Sequence, residues 1–73
     1  MISTGEFCLK PPWEDAPDGA NYLACDANGT WSWYRDEPWI DYQRREWRGN
    51  FIRVAGREDR PYPDWKDSLE RHP

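Results

Sequence analysis

Ala20-Asn21-Tyr22-Leu23-Ala24-Cys25 runs into Asp26-Ala27-Asn28-Gly29 and out through Thr30-Trp31-Ser32-Trp33-Tyr34-Arg35, and this stretch decides the fold. Asp at the first turn position and Gly at the fourth fit a type I turn closed by a one-residue bulge, with glycine in the left-handed conformation. That geometry pairs Asp26 with Thr30, sets Cys25 opposite Trp31, and sets Leu23 opposite Trp33. Tyr22, Ala24, Ser32 and Tyr34 then share the other face, because side chains alternate along a strand. A two-residue Asn-Gly loop would mix the faces. The bulged register instead separates a Leu/Cys/Trp face from a smaller, more polar one, as expected of a sheet covered on one side only.

Working outward, the hairpin lies in the most aromatic part of the chain. Eight aromatics fall between Ala20 and Phe51, and the 73 residues hold six tryptophans. Below about 70–80 residues a single core rarely supplies more than roughly 3–5 kcal/mol, so small domains need reinforcement. Aromatic rings bury more apolar area per position than any other side chain. With 33% of its residues charged, the chain depends on them. Two cysteines, Cys8 and Cys25, and one histidine, His72, fall short of a tetrahedral metal site. A Cys8–Cys25 bridge would not make a dense disulfide framework, and the expectation is reduced thiols in a cytosol. The first six residues lack the basic start and apolar run of a signal peptide. No segment approaches the ~18 apolar residues of a membrane span.

Upstream, residues 1–11 read as an N-terminal arm or added edge strand through Phe7, Cys8 and Leu9. Pro11-Pro12-Trp13 is a stiff approach, and Asp15-Ala16-Pro17-Asp18-Gly19 a turn. Residues 12–56 read as the β-sheet domain. Downstream, Asp36-Glu37-Pro38 ends the second strand. Residues 37–49 form a long connection that holds Trp39, Tyr42 and Trp47, with a helical turn over residues 41–46. Phe51-Ile52-Arg53-Val54 is the third strand. The expected fold is therefore small β or α+β, a roughly three-stranded antiparallel sheet with an aromatic core of Leu23, Cys25, Trp31, Trp33 and Phe51. Residues 57–73 form a charged, proline-containing tail. Asp64 suits a helix N-cap there, and Trp65 and Leu69 at i,i+4 suit a short helix over residues 65–71. The alternative is a tail that orders on meeting a partner.

The string Trp13-Glu14-Asp15-Ala16-Pro17-Asp18-Gly19-Ala20-Asn21-Tyr22-Leu23-Ala24 continues through Asp26, Gly29, Trp31, Trp33 and Tyr34. This W-x-x-A-P-x-x-A-x-x-L-A-x-D-x-x-G-x-W-x-W-Y pattern resembles a small module of uncharacterised accessory proteins in tailed bacteriophages and prophages, over about residues 13–54. The resemblance implies a small β-rich fold and action in the bacterial host cytoplasm, and supplies no catalytic residues. Glu37 stands where the module usually carries a basic residue, and the long tail is a second departure.

Function is bounded more by exclusion than by motif. The net charge of -4 is divided as -4 over residues 1–34, +2 over 35–57 and -2 over 58–73. So acidic a chain is poorly suited to phosphate binding, although aromatics for base stacking exist. An acidic nucleic-acid mimic, of the kind that blocks a host defence or DNA-processing complex, needs its 14 acids on one side against ten bases. Sugar binding lacks polar partners for its tryptophans. For catalysis, neither cysteine has a basic activator nearby in sequence, and His72 has no orienting partner. The expectation is a protein without enzymatic activity, cofactor or membrane span that binds a host bacterial protein. Trp, Tyr and Arg dominate binding hot spots, which selects Tyr34, Trp39, Tyr42, Arg44, Arg45 and Trp47, with Tyr62 and Trp65 from the tail. Two open sheet edges also allow pairing with a second copy as a structural module.

The core assignment makes a direct prediction. Trp31→Ala should destabilise the fold by roughly 3–5 kcal/mol, enough to unfold most of so small a domain, as read by urea denaturation.

Overall fold

The computed structural model describes residues 10–58 and 60–73, so Phe7, Cys8, Leu9 and a Cys8–Cys25 pairing lie outside the described residues. The strands are β1 (Tyr22–Cys25), β2 (Thr30–Tyr34), β3 (Trp39–Asp41), β4 (Glu46–Arg48), β5 (Phe51–Arg57) and β6 (Glu70–Arg71). They form a four-stranded antiparallel sheet in the order β5-β2-β1-β6 and a separate two-stranded ribbon, β3-β4. Among the described residues the helical segments are single 3-10 turns, Trp13–Asp15 and Trp65–Asp67.

The β1–β2 hairpin has the register its turn residues dictate. Leu23 lies opposite Trp33 and Cys25 opposite Trp31. The Gly29 N–H donates to the Asp26 carbonyl, and the Asp26 N–H to the Thr30 carbonyl, both at 2.9 Å. Gly29 has φ +93°, open to glycine at little cost. Its missing side chain has a second use. A Cβ there would lie 2.5 Å from the Arg60 carbonyl oxygen, because the chain leaving β5 crosses the hairpin tip.

One face of the sheet buries Ala20, Leu23, Cys25, Trp31 and Trp33, with Trp13, Ala16, Ile52 and Ala55 packed beside them. The segment before β1 lies over this face. Trp13 meets Trp33 edge-on at 5.1 Å between ring centroids and donates its indole N–H to Glu70 at 2.9 Å. Lys10 pairs with the same carboxylate.

The opposite face overturns the expectation of one-sided cover. Ala24, Ser32 and Tyr34 are all buried, beneath Trp47 and Trp65. Small residues there do not mark a solvated surface; they make room for two indole rings. Trp47 arrives on the β3–β4 ribbon, which replaces the expected long connection. Asp41 Oδ1 accepts from the N–H groups of Gln43 and Arg44, each at 3.1 Å, starting a helix-like turn. Arg45 then adopts φ 59°, and its N–H donates to the Asp41 carbonyl at 2.8 Å. A left-handed residue ends a helix, so the chain doubles back as β4.

Phe51 also departs from its expected core position. Two bulges between β2 and β5, at Trp31/Ser32 and Trp33/Tyr34, turn Ile52 and Ala55 toward the first core. Phe51 is left opposite Tyr34, 51% exposed.

The C-terminal segment is built into the sheet rather than forming a helix over residues 65–71. After the Trp65–Asp67 turn, which the Asp64 side chain does not cap, β6 pairs with β1 through Leu23↔Glu70 and Tyr22↔Arg71. Ser68 explains the change of course. Its Oγ accepts from the Cys25 N–H at 2.8 Å and donates to the Trp65 carbonyl at 2.7 Å. The hydroxyl thus completes the β1 edge where β6 stops, and competes with helical continuation.

Ser68→Ala should leave the buried Cys25 N–H without its acceptor and cost about 1–3 kcal/mol in thermal or urea unfolding. Gly29→Ala should cost more, because the added carbon meets the Arg60 and Glu58 carbonyl oxygens and φ is positive there.

Candidate functional site

The ribbon is held by its own backbone. Trp47 is at a position of β4 whose N–H and C=O point away from β3 and toward the main sheet. The N–H donates to Asp26 Oδ1 at 2.8 Å, and the carbonyl accepts from the Tyr34 hydroxyl at 3.1 Å. The Trp47 indole N–H reaches the Trp65 carbonyl at 3.0 Å. With Ile40 and Trp47 turned inward, their strand neighbours Trp39 and Arg48 are paired on the outward face.

This arrangement divides the residues expected to contact a partner. Tyr34, Trp47 and Trp65 are buried, at 2%, 7% and 5% exposure, and belong to the second core. Their aromatic character serves packing, and the contact role read for them is corrected. Tyr62 is partly buried, with its ring 5.6 Å from that of Trp31. Trp39 and Tyr42 are exposed, at 61% and 71%, as are Arg44 and Arg45. Tyr42 is at the ribbon tip, with the Lys66 ammonium 6.0 Å from its ring centre.

Sequence reasoning missed Phe51 and Val54, the other two exposed large apolar side chains among the described residues. They join Trp39 through Gly49. A Cβ on Gly49 would lie 3.7 Å from the Trp39 ring, and the Phe51 N–H donates to the Gly49 carbonyl at 2.8 Å. Trp39, Gly49, Phe51 and Val54 thus form one apolar strip from the ribbon onto the edge of the main sheet. An apolar β5 position opposite Tyr34 was the available signal, but the bulges that turn it outward have no local signature.

Between β4 and β5 the strip borders a groove of about 310 Å³. Thr30, Ser32 and Tyr34 form its floor, and Phe51 and Val54 line the β5 side. Glu46, Trp47 and Arg48 line the ribbon side, with Asp26 alongside. Arg48 is 3.5 Å from Glu46 and 3.6 Å from Asp41, and Arg44 is 3.9 Å from Asp41. These exposed pairs contribute little to stability. A larger hollow of about 690 Å³ at the end of the sheet mixes Arg35 and Arg71 with Asp18, Asp36 and Glu37. Its charges nearly balance, and it presents no consistent chemistry to a ligand.

Electrostatics single out the residues under the ribbon. Burial raises the Asp26 carboxyl above its ordinary 3.8, as does the charge of Glu46, against the lowering effect of the Trp47 N–H. Burial also pushes the Tyr34 phenol far up, followed by the charge of Asp26, so its hydroxyl stays a donor. Among the described residues no group of three or more His, Cys, Asp or Glu is placed to hold a metal ion. The His72 ring is 5.0 Å from Trp13, and Nδ1 is 2.9 Å from the Pro73 carbonyl oxygen. No helix among the described residues is long and apolar enough to cross a membrane. No family model, curated protein or solved structure matches the chain.

The Asp26 shift has a defined sign. Its folded pKa exceeds the unfolded value, so the native state gains stability from this group as pH falls through the folded pKa. Glu70 acts oppositely. Burial would raise it, but hydrogen bonds from Lys10 and Trp13 and the Lys10 charge outweigh burial and hold it low. Its contribution is present above the unfolded pKa and fades as pH falls. Asp26→Asn keeps an acceptor for the Trp47 N–H and a favourable turn residue. The variant should therefore match or exceed the parent's melting temperature at neutral pH. That advantage should shrink toward about pH 4, while the Glu70→Gln deficit should hold down to about pH 4.5 and close only below it. Melting curves across pH, with Glu46, Tyr34, Arg44 and Arg45 unchanged around Asp26, check both trends.

Proposed function

We propose that this protein is a non-enzymatic phage accessory protein that binds a bacterial host protein in the host cytoplasm and modulates or inhibits it. The observation that carries the binding part is the strip of Trp39, Phe51 and Val54, exposed on a domain whose other tryptophans are packed inside or against its cores. Exposed apolar strips rimmed by polar residues mark interaction surfaces. Arg48, paired with Trp39 across the ribbon and lining the same groove as Phe51 and Val54, adds a residue type enriched in binding hot spots. The phage context rests on the resemblance of residues 13–54.

Two rival readings have less support. Charge mimicry of nucleic acid calls for a one-signed face, whereas Asp41, Glu46 and Glu70 each lie against Arg44, Arg48 or Lys10. Pairing of copies through β5 works against two bulges and the exposed Arg53 and Arg57, devices that blunt an edge strand.

Affinity capture from bacterial lysate, with and without nuclease, tests the proposal. One nuclease-resistant protein should be retained by the parent and lost with Trp39→Ala or Phe51→Ala, while both variants keep the parent's circular dichroism. Capture that vanishes with nuclease, or is indifferent to both substitutions, would overturn it.

A further inference from the structure

The groove beside the apolar strip has a chemistry of its own. Its apolar boundary is aromatic, from Tyr34, Trp47 and Phe51, yet Asp26 and Glu46 both line it. Glu46 has Arg48 at 3.5 Å on the rim, and Arg48 is shared with Asp41. Asp26 is different: among the described residues no cation lies within ion-pair distance of it, and its Oδ1 is held by the Trp47 N–H. Arg44 and Arg45 line a separate hollow of about 390 Å³ beside the same two acids without forming an ion pair with Asp26.

We infer that the groove between β4 and β5 receives a lysine or arginine side chain of the partner protein, its stem along Phe51 and Val54 and its charge between Asp26 and Glu46. The inference rests on the binding role of the adjoining strip and names the partner's chemistry. Apart from Arg48, whose charge is shared between Glu46 and Asp41, the features of the groove select a cation on an apolar stem. A partly desolvated carboxylate is stabilised by an opposite charge, and two neighbouring carboxylates more so. Aromatic rings attract cations through their faces. Long basic side chains lay methylenes along apolar surface while their heads meet polar groups. An aliphatic side chain would bury Asp26 further without compensation, and an anion would be repelled. The chain's net charge of -4 favours approach of a basic surface.

A titration of the full chain by ¹H–¹⁵N correlation spectroscopy tests this with N-acetyl-arginine methylamide. The uncharged isostere N-acetyl-citrulline methylamide is the comparison. The arginine probe should shift the amides of Trp47, Gly49, Phe51 and Val54 saturably. Citrulline, or the arginine probe on Asp26→Asn or Glu46→Gln, should bind at least about tenfold more weakly. Glu37→Gln removes the same charge at the far hollow and should leave the response unchanged. Equal responses to the two probes, indifference to both groove substitutions, or shifts centred on Trp13 and Arg71 would overturn the inference. Lysate capture separates the two readings. Capture that depends on Trp39 and Phe51 without an arginine response leaves the binding strip standing and removes the groove's role. An arginine response with capture indifferent to the strip does the reverse.

Discussion

The structure depends on how Trp47 is held. Its amide N–H, carbonyl and indole N–H each engage a different part of the chain: Asp26 at the first hairpin, Tyr34 in β2, and Trp65 near the end. A two-stranded ribbon is marginal alone. Here one of its edges is satisfied by side chains of the sheet beneath it, and its tryptophan fills the space over Ala24. Buried backbone groups need partners wherever they lie. Asp26 and Tyr34 meet that need without extending any strand, so the ribbon can lie across the sheet rather than beside it.

The second constraint is how little chain there is to bury. Splitting the aromatic residues between two faces gives each face a core of its own, one around Trp31 and Trp33 and one around Trp47 and Trp65. Tyr62 packs against both. The indole N–H groups are used as well as the rings. Trp31 donates to Glu58, Trp13 to Glu70 and Trp47 to the Trp65 carbonyl. Polar anchoring of buried indoles supplies geometric definition that a few aliphatic residues could not.

What was legible in the sequence was what is local. The Asp26–Gly29 turn carries its geometry in its own residues, and it set the register of the four residue pairs between β1 and β2 correctly. Everything decided by distant partners was harder to read. Ala24 and Ser32 look like a solvated face until Trp47 and Trp65 are seen above them. The β3 and β4 strands are three residues each, too short for alternation to register, and their return depends on Arg45 taking a conformation that arginine seldom adopts. Trp65 and Leu69 have helical spacing, but Ser68 uses its hydroxyl on Cys25, and the chain leaves the helical path. The site followed the same rule. The exposure of Trp39 and Tyr42 was legible because their loop composition suited it. Tyr34, Trp47 and Trp65 were misplaced because a second core was not foreseen, and Phe51 because bulges turned it outward.

Pairing of β6 with β1 brings Glu70 beside Leu23, from opposite ends of the described chain. During synthesis the β1–β2 hairpin emerges with its outer edge open, and residues 68–71 that close it come much later. Closure over such a separation is slow compared with forming the hairpin. The nascent protein therefore passes through an interval in which the Leu23 backbone and the Cys25 amide face solvent or a chaperone. An uncovered edge of this kind is a site for mispairing between chains. Among the described strands, closure of the β1 edge thus waits on β6, the last of them to be made.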